Sequence, residues 1–243
     1  MRVLRLKLFQ ETACYKKPYA AKVSETYPLP PFSTVIGMLH HLLEAPSGSI
    51  IPMKLCIQGE WDSLFSDYQK HYFIKEKNTT EFPLVLDGLA EGLNHVELSD
   101  MTSMPIYRHL LYRINLLIYI SAEDDVLEAI YQAFHYHAKT LSLGRAEDLL
   151  RVDACEFVEL STLDGDSVDL LYNAYVPRCF IDDENDPYVP YRLNSIYKIV
   201  KNIRKWEKVA VGYMSKGVTL EPDVEGLLVD NFDEKPCPVF FYD

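Results

Sequence analysis

The sequence predicts an α+β fold in which one sheet carries two helices on one face. Three observations predict it. At the N-terminus, apolar Val3, Leu4, Leu6 and Leu8 alternate with Arg5 and Lys7, the period-2 pattern of a strand. Further on, Phe32, Val35, Ile36, Leu39, Leu42 and Leu43 recur at helical spacing. The same strand–helix–strand order then returns over 111–160. Two β-α-β halves with an insertion between them make the ferredoxin-like plan, a four-stranded antiparallel sheet with its helices on one side.

The first strand spans 2–10, and the Lys- and Tyr-bearing stretch 11–26 is a loop. Pro28, Pro30 and Pro31 fix φ and remove donors, so 27–31 is extended or turning. A helix over 33–44 follows, with Ser33 or Thr34 as its N-cap. Gly37 inside it costs about 1 kcal/mol relative to Ala, which predicts a close backbone approach there. A second strand covers 51–60 after a turn marked by Pro46 and Gly48.

Residues 61–110 show no strong period. They read as an inserted hairpin with an aromatic strand near 67–75 and a mobile tip. The run 111–120 is the best strand in the chain. Ser121 is placed to cap the next helix, with Asp124 three residues on. Val126, Leu127, Ile130, Tyr131, Phe134 and Ala138 give that helix its apolar face, and Gly144 is its expected end. A strand over 152–160 closes the first domain, 1–160, and 161–243 reads as a β-rich C-terminal subdomain.

Composition narrows the function. Among 243 residues, 48% are hydrophobic, enough for a sizeable core. No apolar run approaches the roughly 20 residues of a membrane span, so no membrane partner is expected. The N-terminus is a strand pattern and not a leader. Five scattered cysteines without a Cys-x-x-Cys pair suggest reduced thiols and a cytoplasmic location, with neither zinc nor disulfides. His135 and His137 lie at i and i+2 of a helix and point apart, so no metal or other cofactor is expected. Walker, dinucleotide-binding and nucleophile-elbow motifs are missing. Net charge is −12, yet 13 of the 24 Lys/Arg sit in two windows, 1–22 and 188–217, each holding one acid. Two basic windows on an acidic chain suggest local anionic contacts within a larger assembly.

Two stretches carry the chemistry. The proline loop delivers a helix N-terminus bearing hydroxyls, which favours anions. Near the end of the first domain, Gly144 permits a left-handed turn from which Arg145 projects, a geometry able to bind phosphate bidentately. Together the run from Thr26 to Leu39 and the run from Leu143 to Asp148 resemble the two signatures of one CRISPR-associated family. This is the RAMP-type subunit of the fifth Cas family, which holds the 5′ handle of the guide RNA in type I effector (Cascade) complexes. Among its branches the chain looks more like type I-B than type I-C.

The resemblance implies a ferredoxin-like RNA-binding (RRM/RAMP) domain whose insertion is a thumb reaching the adjacent backbone subunit. It implies a subunit that grips the crRNA 5′ handle, contacts the large subunit, meets target DNA only indirectly and catalyses nothing itself, in antiviral defence. Handle binding needs cations and N–H donors for phosphates and rings for bases. The chain offers Lys16, Lys17, Lys22, Ser33, Thr34, Arg108, Arg113 and Arg145 with Gly144, and Tyr15, Tyr19, Tyr27 and Tyr107 as stacking rings. Two alternatives stay open. One is a metal-independent endoribonuclease that processes precursor crRNA, drawing on His40, His41, His109, Tyr27, Tyr112 or Arg108. The other is a protein adaptor that holds no RNA.

Overall fold

A computed structural model describes residues 1–20, 23–46, 48–74, 101–136, 139–182, 184–201, 203–221 and 227–242. The first half contains β1 (Arg2–Ala13), β2 (Val23–Ser24), α1 (Phe32–Leu42), β3 (Lys54–Glu60), β4 (Ser63–Ile74), β5 (Met101–Ser121), α2 (Asp124–Tyr136) and β6 (Arg151–Glu159). The order β3-β5-β1-β6 is antiparallel throughout, which is the ferredoxin-like arrangement. Alternation along β1 buries Leu4, Leu6 and Leu8 on the helix side. There they join Leu55, Ile57, Ile114, Leu116, Ile118 and Ile120 from the neighbouring strands and Val35, Leu39, Leu127 and Ile130 from the helices.

The second half contains β7 (Ser161–Thr162), β8 (Val168–Asp169), β9 (Asn173–Pro177), β10 (Val189–Val200), β11 (Ile203–Met214), β12 (Thr219–Leu220), β13 (Leu228–Phe232) and β14 (Lys235–Val239). It does two things. Strands β9, β11 and β10 continue the main sheet outward from β3. The short strands cover the sheet's other face, where Val3, Cys56, Leu117 and Tyr119 pack with Leu170, Leu220, Phe232 and Phe240. Tyr119 and Arg5 both donate to Asp230 there, at 2.9 and 2.6 Å.

Strands β4 and β5 pair from Ser63↔Tyr112 to Ile74↔Met101, so the insertion begins and ends as a two-stranded arm. The expected mobile tip falls in 75–100, outside the described residues. The root of the arm is braced by β1 as far as Ala13↔Leu111, and by β2, which runs parallel to β5 at Tyr107 and Arg108.

The helix ends differ from the sequence reading. Pro31 takes the N-cap position of α1 with no side-chain cap, and its carbonyl accepts from Thr34 N (2.9 Å) and Val35 N (3.3 Å). Ser33 and Thr34 therefore lie inside the first turn, because burying Phe32 starts the helix earlier. Gly37 meets no close backbone: a Cβ there would touch nothing within 4 Å. Ser121 ends β5 and does not cap α2, which starts at Asp124 and stops at Tyr136. Gly144 belongs to a separate turn beyond that helix.

Candidate nucleic-acid interface

The Gly-Arg turn is held from below by one buried carboxylate. Asp148, fully buried, accepts from Cys14 N (3.0 Å), Arg145 N (2.9 Å) and the Arg145 guanidinium (3.0 Å to Nε, 2.5 Å to Nη2). Gln10 donates to the carbonyls of Leu143 and Asp148, each at 2.9 Å, and receives the Tyr15 hydroxyl at 2.6 Å. Burial pushes the Tyr15 pKa well up, so it stays a donor. Gly144 has φ 112, and a Cβ there would come within 2.8 Å of Asp148 Oδ2 and 3.2 Å of the Cys14 carbonyl. Only glycine fits this close approach.

Above the turn, a cavity of about 470 Å³ opens between the loop after β1 and the root of the arm. Lys16, His71, Arg108 and Arg145 line it, with Cys14, Ser24, Met104 and Ile106. Arg108 is 8% exposed. Its guanidinium lies 2.6 Å from His71 Nε2 and 3.3 Å from Glu147 Oε1, and its buried Nε has no partner among the described residues. Arg145 Nη1 meets the same Glu147 oxygen at 2.9 Å. One exposed carboxylate thus bridges two largely buried guanidinium groups. The edges of the two guanidinium groups that face Glu147 are N–H donors suited to an anion. Burial pushes the Cys14 thiol up, so this wall of the cavity stays neutral.

Residues 3–191 match the family model described as CRISPR-associated protein (Cas_Cas5). The chain belongs to the Cas5 family. The matched span includes the proline loop, both strands of the arm and the Gly-Arg turn. No curated protein matches the chain. Among solved structures, a chain of a CRISPR RNA-guided surveillance complex is similar over 89% of this chain and 91% of its own, with a TM-score of 0.55 and 12% identity. A CRISPR protein from Archaeoglobus fulgidus aligns over 98% and 99% with a TM-score of 0.48 and 10% identity. At these identities the first likeness speaks to the fold.

The Cas5 fold gathers some of the expected residues and scatters others. Lys16, Arg108, Gly144 and Arg145 come together at the cavity and its floor. The expectation that Arg145 offers its whole fork to phosphate is corrected, because Asp148 already holds Nε and Nη2. Lys17 pairs with Glu25 at 3.2 Å, and Arg113 with Asp62 at 3.4 Å, neither lining the cavity. Lys22 lies outside the described residues. Tyr27 is corrected from a stacking ring to a core residue: it is 8% exposed, edge-on to Tyr191 at 5.6 Å. Tyr15 is buried as well, while Tyr19 and Tyr107 are exposed. Ser33 lines a different groove, together with His40 and His41.

The groups considered for cleavage are spread apart in this Cas5 protein. Arg108 faces the cavity, and strand alternation turns its neighbour His109 to the other side of β5. His40 Nε2 accepts from Ile51 N at 3.3 Å. Sequence reasoning missed Gln10, His71 and Asp148 as builders of the site. Asp148 had a local signal, an acid three residues after Arg145. His71 had none, since only the register His71↔Met104 brings it near Arg108.

Proposed function

We propose that this Cas5 protein is the non-catalytic subunit of a type I CRISPR effector complex that binds the crRNA 5′ handle. In this reading it works in the cytoplasm, in antiviral defence. The observation that carries the reading is the cavity where Lys16, Arg108 and Arg145 converge, with the Glu147 carboxylate on both arginines. A handle phosphate replaces that carboxylate and is met by two preset guanidinium groups and the Lys16 ammonium. The arm caps the neighbouring backbone subunit. Its exposed Tyr68, Tyr72 and Tyr107 supply aromatic contact area suited to a protein partner. The C-terminal half contacts the large subunit.

The test is labelled repeat RNA incubated with the purified protein in EDTA, resolved on native and denaturing gels. Binding without a cut is the expected result. A discrete cut at the repeat overturns the non-catalytic reading, and no binding overturns handle recognition by this chain. Glu147→Gln is expected to bind the RNA about fivefold more tightly, since it removes a competing anion held by roughly 1 kcal/mol of partly screened pairing. Weaker binding by this variant would mean that Glu147 supports the site and does not occupy it.

A further inference from the structure

A second cavity, about 710 Å³, runs between the outer side of α1, the turn leading to β3 and the β10–β11 hairpin. It shares no lining residue with the first. From the helix come Ser33 and His40, and from the hairpin come Tyr197, Arg204 and Trp206. Tyr197 and Trp206 are register partners whose ring centroids lie 5.1 Å apart, edge to face. The Arg204 guanidinium sits 4.6 Å over Tyr197 and forms no ion pair among the described residues.

The charge of this wall is opposite to that of the molecule. Net charge is −12, yet residues 198–208 hold Lys198, Lys201, Arg204, Lys205 and Lys208 against Glu207 alone. Glu207 is itself paired with Lys198 at 2.6 Å. The acid in the lining, Glu44, is paired too, with Lys139 at 2.7 Å. His40 donates nothing through Nε2, which accepts from Ile51, so its Nδ1 remains as a donor. Along β11, Arg204, Trp206 and Lys208 stand at alternate positions, about 7 Å per step; Arg204 and Trp206 line the groove and Lys208 lies just beyond its lining. Cation, aromatic ring and cation therefore alternate along a strand beside an open groove. That order suits phosphate, base and phosphate. An acidic peptide would use the cations but gives no reason for the ring between them.

We propose that this groove binds a single-stranded nucleic-acid segment separate from the handle, with a base on the Trp206–Tyr197 pair and phosphates on Arg204 and Lys208. Stacking on these rings accepts any base, so the contact is independent of sequence. The site rests on its own residues, so it stands or falls apart from the handle cavity.

The test uses the two tryptophans, 61 and 206. In a Trp61→Phe background, Trp206 alone reports. Titration with a short polyuridine at low salt is expected to quench its emission. The double variant Arg204→Ala/Lys208→Ala, at exposed positions, is expected to bind about tenfold more weakly, with a shallower salt dependence. Lys16→Ala is expected to leave this binding unchanged, which separates it from the handle site. Absence of quenching, or full binding by the double variant, overturns the proposal. So does a double variant that keeps its polyuridine affinity but no longer assembles with its protein partners, because the hairpin is then a protein-docking surface.

Discussion

Asp148→Ala is expected to lower stability by about 3 kcal/mol, since it leaves a largely buried guanidinium with only the exposed Glu147 as counter-charge. The same change orphans the backbone donors of Cys14 and Arg145. The measurement is urea unfolding, read as a fall in midpoint at constant slope. Asp148→Asn keeps the shape and part of the bonding, so it is expected to fall between wild type and alanine. An unchanged midpoint would mean that the Gly-Arg turn is held by its backbone alone. The expected loss reaches function as well, because the turn carries Arg145 into the cavity wall.

The second large effect concerns RNA. Lys16→Ala combined with Arg108→Ala is expected to cut affinity for repeat RNA by roughly tenfold or more, given about 1.5–3 kcal/mol for a charge-assisted contact. The slope of log affinity against log salt is expected to fall by about 1 to 2. Polarisation of labelled RNA across a salt series measures both. Lys16 is exposed, so its single variant carries no packing cost and serves as the control for Arg108, which is buried. An unchanged slope would remove these two cations from the interface.

The ferredoxin-like sheet and its two helices were legible because their signals are local. Alternation at Leu4, Leu6 and Leu8, the helical stripe from Val35 to Leu42 and the repeated β-α-β order each follow from neighbouring side chains. The helix starts were less legible. A side-chain cap at Ser33 and a prolyl carbonyl at Pro31 differ by two residues, about half a helical turn, and the burial of Phe32 decides between them. The wiring of the C-terminal half was not legible, since nothing local in Asn173–Pro177 says that it pairs with Gln58 and Gly59. The site divides the same way. Cations beside the two motifs could be named, yet whether each is free or paired depended on distant or turned acids: Glu25 for Lys17, Asp62 for Arg113 and Asp148 for Arg145.

Strand β5 runs for 21 residues from the arm into the middle of the ferredoxin-like sheet. Its C-terminal half is clamped between β1 and β3, and Arg108 sits near the root of the arm, just past the end of β1 pairing at Leu111 and beside β2. His71 lies on the partner strand of the same arm, while Arg145 belongs to the Gly-Arg turn fixed by Asp148. The two walls of the cavity lined by Lys16, His71, Arg108 and Arg145 are therefore mounted on different parts of one lever and its fulcrum. Under the proposed function, a neighbouring subunit that loads the outer arm would act on β5, and through it on one wall of the cavity relative to the other. On the proposed function, the aperture that would admit a phosphate and the seating of the next subunit would then be a single mechanical coordinate.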